Sequence, residues 1–311
     1  MVYLNFLKKV MAIILVSDRL HPDGIKELEK LGEVRVKTGL SPPELMKEVA
    51  EADVLVVRSA TKVTREVIEA GKKLKIIARA GVGLDNIDQE AARERGIKVL
   101  NAPESVSVAV AELVMGFMLS WCRKIPAADS SMKQGQWEKS KFMGTELRGK
   151  TLGIVGTGRI GLEVARRARA FDMKLLGYDI VQNPEFTALG GKYVDLETLL
   201  KSSDFVSLHV PLTDQTRNMI GEKELKMMKK TAVLINTARG AVVNEEALIR
   251  ALQEGWIAGA CLDVYWREPL GDHVLTKLSN VILTPHIGAS TEEAQREAAL
   301  VIAEKIRREL E

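Results

Sequence analysis

Cysteine is nearly missing from this chain. Cys122 and Cys261 are the only two, each sits inside an apolar stretch, and neither has a second Cys or a His at metal-ligand spacing. That excludes a disulfide framework and a metal site built on thiolates, and it predicts two reduced core residues in a cytoplasmic protein. Runs of like charge are missing as well. Against 45 basic residues stand 42 acidic ones, for a net charge of +3, so no nucleic-acid partner is implied. No segment approaches the roughly 18 consecutive apolar residues that a membrane span needs. Lys8 and Lys9 precede an apolar run, Val10 to Val16, that superficially looks like a secretion signal. No small-residue cleavage site follows it, so a first core strand is the expectation. Met11 is an alternative start, which leaves residues 1–10 as a frayed extension. Internal repeats and low-complexity segments do not occur.

What is present suffices for two domains: 311 residues, 46% apolar and 28% charged, exceed one ordinary core. The chain is organised around Thr151 to Asp179. An apolar run, Leu152 to Val155, stops at Gly156-Thr157-Gly158-Arg159-Ile160-Gly161, and a helix-compatible segment follows to Phe171. This reads as strand, tight turn, helix. Gly156 lets the chain turn, Gly158 lets backbone approach a pyrophosphate, and Gly161 lets helix pack close on strand. The helix N-terminus, with Arg159 and Ile160, then faces the phosphates. Asp179 follows a second apolar run, 23 residues past Gly156. A carboxylate there accepts the ribose hydroxyls of an adenosine and repels a 2′-phosphate, so NAD is expected rather than NADP.

From Ala12 to Asn101, apolar strands alternate with helical segments, which means a parallel sheet covered on both faces. Such sheets bind ligands at the carboxyl ends of their strands. Polar turns fall there at Arg58-Ser59-Ala60-Thr61, at Arg79 to Gly83, and at Asn101-Ala102-Pro103. Val106 to Cys122 carries a single charge, Glu112, and predicts a helix buried nearly all round, with a place between two domains as the expectation. Residues 125–150 are polar with interspersed Trp137 and Phe142 and read as a helix followed by an extended arm. The second half is again α/β, with strands expected at Phe205–His209, Ala232–Asn236, Ile257–Leu262 and Val281–Thr284. A last helix is expected from Thr291 to Leu310.

RAGVGLDNID at 79–88, ESVSVAVAELVMGFML at 104–119, the GTGRIG turn, HVPLT at 209–213, INTARG at 235–240, LDVY at 262–265, Glu268-Pro269 and TPHIGAST at 284–291 together resemble the D-isomer-specific 2-hydroxyacid dehydrogenases. The resemblance implies two Rossmann-like or flavodoxin-like parallel-sheet domains with the active site in the cleft between them. Residues 1–102 plus 289–311 would form a discontinuous substrate-binding domain, and 103–288 the NAD-binding domain. It also implies a homo-oligomer, a dimer or tetramer, with the 125–150 arm taking part. VRSATKVT at 57–64 and WEKSKFMGTEL at 137–147 are similar to the branch that oxidises a phosphorylated glycerate. Some relatives carry a further regulatory domain that binds serine; with the chain stopping at Glu311, feedback through such a domain is not expected.

Oxidising a secondary alcohol with NAD needs a base for the hydroxyl proton and a cation for the carboxylate. His286 follows the strand VILTP, and imidazole titrates nearest neutrality, so it suits the base. Glu268 is placed to accept its other ring N–H and fix the tautomer. Arg239 closes INTARG after a strand and offers a planar fork for a carboxylate. Each matches a catalytic position in the family. Arg58, Ser59, Arg79 and the amides of Gly81, Val82 and Gly83 are expected to bind the substrate's carboxylate and far end, two arginines suiting a phosphate. Lys139 matches a position that in phosphoglycerate relatives reaches in from a neighbouring subunit. Pro211 and Thr216 match the family's adenine and ribose lining, and Thr237, Asp263 and Gly288 its nicotinamide side. Asp263 has a second reading as a turn cap. The alternatives on the same fold are a glyoxylate or hydroxypyruvate reductase, another D-2-hydroxyacid dehydrogenase, or an NAD-sensing corepressor-type binding protein.

Overall fold

The structure, a computed structural model, describes residues 12–311. The expected frayed extension at 1–10 and the alternative start at Met11 lie outside the described residues. The chain forms two compact units, one up to Val106 together with Ser290–Glu311, the other Ser107–Ala289.

In the first unit strands and helices alternate: β1 (Ala12–Val16), α1 (Pro22–Glu29), β2 (Gly32–Val36), α2 (Pro42–Val49), β3 (Val54–Val57), α3 (Arg65–Ala70), β4 (Ile76–Arg79), α4 (Gln89–Glu94) and β5 (Lys98–Asn101). The sheet is parallel in the order β2-β1-β3-β4-β5. Successive side chains of a strand point to opposite faces, and the two cores divide accordingly. Ile14, Val16, Val54, Val56, Ile76 and Ala78 face one way, with Leu28 of α1. Leu15, Leu55, Val57 and Ile77 face the other, against α2, α3 and α4. The first face is completed by the last helix of the chain, which brings in Ala298, Ala299, Ile302, Ala303 and Ile306. Gly24 admits it: a Cβ there would lie 2.4 Å from the Cβ of Ala299.

The second unit opens with α5 (Ser107–Arg123) and α6 (Ile125–Lys133), followed by a short 3-10 turn at Lys139–Phe142. Then come β6 (Thr151–Val155), α7 (Arg159–Ala170), β7 (Lys174–Tyr178), α8 (Pro184–Ala188), β8 (Lys192–Tyr193), α9 (Leu196–Ser202), β9 (Phe205–Leu208) and α10 (Glu222–Met227). The unit ends with β10 (Val233–Asn236), α11 (Glu245–Gln253), β11 (Gly259–Leu262) and β12 (Val281–Leu283); the closing helix of the first unit is α12 (Glu292–Leu310). The seven strands are parallel in the order β12-β11-β10-β9-β6-β7-β8. Chain order therefore reverses between β6 and β9, the place where doubly wound sheets open a ligand crevice. α5 packs along α7 on one face; α9, α10 and α11 cover the other.

Sequence periodicity does not foresee α8 and β8, since five and two residues are too short to show a period. The arm beyond α6 is not wholly extended, because Lys139–Phe142 coils into the 3-10 turn. Both cysteines are buried, and burial raises the Cys261 thiol far above its ordinary value. Among the described residues no helix is long and apolar enough to cross a membrane.

Candidate active site

The glycine turn lies at the reversal point. Gly156 has φ +95°, and a Cβ on it would come 2.7 Å from the His209 carbonyl at the end of β9. A Cβ on Gly161 would come 2.1 Å from the carbonyl oxygen of Gly156. Both are positions only glycine fills. Gly158 is the N-cap of α7 and meets nothing within 4 Å, so the first amides of a 12-residue helix, from exposed Arg159 and half-buried Ile160, open outward. Asp179 stands just past β7. Its Oδ2 accepts the Thr157 amide at 2.6 Å and its Oδ1 the Val181 amide at 3.3 Å. Ile180 and Val181, 90% and 71% exposed, form an apolar shoulder beside it. A turn with no room for side chains at Gly156 and Gly161, an open helix N-terminus and a carboxylate one strand away fit an adenosine diphosphate of the NAD type. Pro211 and Thr216 share one turn, in which the Thr216 hydroxyl donates to the Pro211 carbonyl at 2.6 Å. Thr237 is buried, and its Oγ1 has no partner among the described residues.

Three loops at the carboxyl ends of β10, β11 and β12 carry the reactive groups. Asn236, 1% exposed, accepts the Ala238 amide at 3.0 Å and donates to the Arg239 carbonyl at 2.8 Å, which fixes the path that presents Arg239. The Arg239 Nη1 also donates to the Ala238 carbonyl at 2.6 Å. Next along, the Tyr265 amide donates to Glu268 at 3.1 Å. The other carboxylate oxygen of Glu268 lies 2.7 Å from His286 Nδ1. A carboxylate only accepts, so Nδ1 carries the hydrogen and Nε2 is left with a lone pair. Burial would raise the Glu268 carboxyl, but the His286 hydrogen bond, the Tyr265 amide and the charges of His286 and Arg239 outweigh it and hold it below the ordinary value.

His286 has φ +54°, a left-handed backbone that costs energy for a residue with a Cβ and persists only where the surroundings impose it. Asp263 imposes it. At 1% exposure it accepts Thr284 Oγ1 at 2.6 Å, the Ile287 amide at 2.7 Å and the Gly288 amide at 2.8 Å. The Tyr265 hydroxyl lies 2.9 Å from the Thr284 carbonyl and 3.1 Å from that of Leu262, and can donate to either. Asp263 and Gly288 thus serve first to tie the loop that carries His286, in keeping with the turn-cap reading of Asp263. Of the other histidines, His21 caps α1 and His273 pairs with Glu245 at 2.9 Å. His209 retains some accessible surface, yet its Nδ1 is buried without a partner and burial pulls its pKa down to about 3, so it stays neutral. Among the described residues, only His286 combines an exposed ring with a carboxylate behind it.

In the first unit, Asp18 and Asn86 shape the loop after β3. Asp18 accepts the Arg58 and Thr61 amides at 2.5 and 3.2 Å, and Asn86 donates to the Arg58 and Thr61 carbonyls at 2.8 and 2.7 Å. The half-buried Arg58 has its pKa lowered by burial, which the charge of Asp18 offsets only in part. Among the described residues no carboxylate lies within ion-pair distance of it. Arg79 Nε donates to the Arg58 carbonyl at 3.4 Å, which brings the two arginines together. Ser59 is exposed on the same loop. Asn101 holds the Val82 carbonyl at 2.6 Å, and the amides of Val82 and Gly83 donate to no other described residue. In the second unit, Lys139 is exposed at the start of the 3-10 turn Lys139–Phe142.

Sequence reasoning missed Asn236, Tyr265, Asp18 and Asn86, all of which act by holding backbone; their only signal is a polar residue at a strand end or in the turn beyond it. It also missed what Gly240 does. A Cβ there would sit 2.1 Å from the backbone carbon of Tyr265, so Gly240 lets the Arg239 loop approach the loop of Glu268. Gly240→Ala is expected to destabilise the protein by about 1–3 kcal/mol, the usual cost of overpacking. Thermal unfolding checks this, and an unchanged Tm would show that the loops yield freely.

The fold and these loops define a dinucleotide-binding α/β protein with an acid-base pair beside a cation. Residues 115–288 match the model of the D-isomer specific 2-hydroxyacid dehydrogenase NAD binding domain. The chain is 53% identical over 302 residues to the D-3-phosphoglycerate dehydrogenase of Methanocaldococcus jannaschii, covering 96% of this chain and 58% of that one. It is 52% identical to the hydroxypyruvate reductase of Thermotoga maritima, covering 95% and 97%. A solved glyoxylate reductase from Paecilomyes thermophila superposes with a TM-score of 0.87 at 34% identity, covering 97% and 96%. The chain belongs to the D-isomer-specific 2-hydroxyacid dehydrogenases, and its second unit contains their NAD-binding domain. It spans little more than half the length of the D-3-phosphoglycerate dehydrogenases it matches.

Proposed function

We propose that the chain oxidises D-3-phosphoglycerate to 3-phosphohydroxypyruvate with NAD, the entry step of the phosphorylated route to serine. The observation that carries the acid-base part is the 2.7 Å contact between Glu268 and His286 Nδ1, which leaves Nε2 to accept the proton of the substrate hydroxyl. Arg239 grips the carboxylate through its planar fork and polarises the adjacent carbon. Glu268 stabilises the imidazolium that forms. NAD, when bound, supplies the hydride acceptor, and residues Gly156 to Gly161 with Asp179 hold it. Asp263 and Thr237 line its nicotinamide side in this reading, and Pro211 and Thr216 its adenosine.

The phosphate is assigned to Arg58 and Arg79, with the amides of Val82 and Gly83, which donate to no other described residue, on the carboxylate side. Support comes from Arg58 itself, a half-buried cation with no carboxylate at ion-pair distance among the described residues, whose charge Asp18 offsets only in part. Arg58→Ala is expected to cut kcat/KM for 3-phosphoglycerate about 100-fold, the worth of a charge-assisted pair, and D-glycerate turnover by no more than about twofold. Equal losses on both would remove the phosphate role.

A second reading, reduction of hydroxypyruvate or glyoxylate, is favoured by the near full-length match to the Thermotoga maritima reductase. Purified protein with NAD at alkaline pH, offered 3-phosphoglycerate, D-glycerate and D-lactate, separates the two by NADH absorbance. Turnover confined to 3-phosphoglycerate supports the first reading; turnover of D-glycerate instead moves the substrate to the reductase branch. We further place the protein in the cytoplasm as a homo-oligomer. The residues that suit a subunit contact are on the arm, where Trp137 and Met143 are each 81% exposed.

A further inference from the structure

Asp179 does not stand alone. Thr157, between the first two glycines of the turn, is 1% exposed, and both its amide (2.6 Å) and its hydroxyl (3.2 Å) reach Asp179 Oδ2. On its far side the Thr157 hydroxyl lies 2.6 Å from the hydroxyl of Tyr193, on the short edge strand β8. The Tyr193 oxygen accepts the Asn183 amide at 2.7 Å. Asn183 donates through Nδ2 to the Thr157 carbonyl at 3.4 Å and caps α8 by accepting the Glu185 amide at 3.0 Å.

The direction of this chain follows from its ends. Asp179 as a carboxylate only accepts, and the Asn183 amide only donates. Each hydroxyl has one hydrogen, so Thr157 gives its own to Asp179 and Tyr193 gives its own to Thr157. The alternative acceptor for Tyr193, the Asn183 carbonyl, is 3.5 Å away and does not compete. The relay loads Oδ2 with two donors and leaves Oδ1, among the described residues, with the long bond to Val181 alone. The tyrosine ring cannot wander. It packs on Phe186 with centroids 5.1 Å apart. Phe186 itself is wedged where a Cβ on Gly177 or Gly191 would come within 2.5 Å or 2.3 Å of its ring.

We propose that Tyr193 and Asn183 are positioning residues for cofactor choice: through Thr157 they hold the Asp179 carboxylate in the one orientation that turns Oδ1 toward the adenosine ribose of NAD and against the 2′-phosphate of NADP. This rests on the assignment of the second unit to NAD. A carboxylate free to rotate about its last torsion presents neither oxygen reliably. A ribose diol then loses a fixed acceptor, and a phosphate meets a charge that can swing away. Tyr193 therefore acts on selectivity more than on affinity for the shared parts of the two cofactors.

The test is the binding of NADH and NADPH to the whole protein, read by nucleotide fluorescence, with no turnover needed. Tyr193→Phe removes one oxygen and keeps the ring on Phe186. It is expected to weaken NADH about tenfold, the worth of one hydrogen bond in a charged network, with NADPH changing less than about twofold. Thr157→Ser keeps the relay and is expected to retain wild-type selectivity, whereas Thr157→Val loses it. In an Asp179→Ala background, Tyr193→Phe is expected to have no further effect, because the two act through one another. Wild-type selectivity in Tyr193→Phe, or an equal effect of that change with and without Asp179, would overturn the inference. Wild-type protein that binds NADH no better than NADPH would instead overturn the cofactor assignment beneath it.

Discussion

Replacing His286 by Gln is expected to lower kcat by about 10³, within the range that a positioned general base supplies, with little change in NADH affinity. The amide keeps a donor for Glu268 but cannot take a proton from the substrate. The loop should stay in place, because Asp263 holds it through Thr284, Ile287 and Gly288 rather than through the imidazole. Glu268→Gln is the milder change, expected at about 10–100-fold, since it removes the charge behind the ring and leaves the base. Its pH behaviour has a defined sign. The Glu268 carboxyl is held below the ordinary carboxylate value in the folded protein. The stabilisation it lends the loop is therefore fully present above the unfolded value and is lost only as pH falls through the lower, folded one. Single-turnover rates, with NADH binding measured beside them, check the set. A His286→Gln enzyme that retains a tenth of wild-type kcat would remove the proton role.

The second large effect falls on Arg239. Arg239→Lys keeps a positive charge but loses the planar fork, and kcat/KM for the hydroxy acid is expected to drop by about 10²–10³, the cost of breaking a charge pair at a binding site. The loss should divide between a higher KM and a lower kcat, because the same group holds the carboxylate and polarises the reacting carbon. NADH binding should be unchanged, as Asn236 pins the loop through the Arg239 carbonyl and not through its side chain. A variant with normal KM and reduced kcat would assign Arg239 to polarisation alone. One with weakened NADH would show that the loop, and not the fork, had been damaged.

Much of this is legible in the sequence. Apolar runs such as AIILV and VLVV announce buried parallel strands, because both their faces must be covered, and the sheet in each unit bears this out. The strand before GTGRIG, the helix after it and the acid beyond it identify a nucleotide turn because each residue answers one steric or electrostatic demand. What the sequence hides are contacts set by distances across strands. Asp263 matches a nicotinamide position by motif, but the three donors it accepts come from residues 284, 287 and 288. Tyr193 sits in a two-residue strand with no period to read, and its link to Thr157 spans 36 residues. The left-handed backbone of His286 leaves no compositional trace at all, since the usual sign of such a conformation is a glycine.

The return of α12 to the first sheet bears on how the protein is made. Ile14, Val54, Val56 and Ile76 form a face that α12 completes with Ala299, Ile302 and Ile306. The ion pair between Asp23 and Arg296 links positions 273 residues apart. A ribosome adding about 5–20 residues per second therefore leaves that face bare for some tens of seconds, while the second unit, continuous from Ser107 to Ala289, has all its own strands in hand. The unit that begins first is thus the one that finishes last, and the nascent chain's exposure to aggregation and to chaperones is concentrated on β1, β3 and β4.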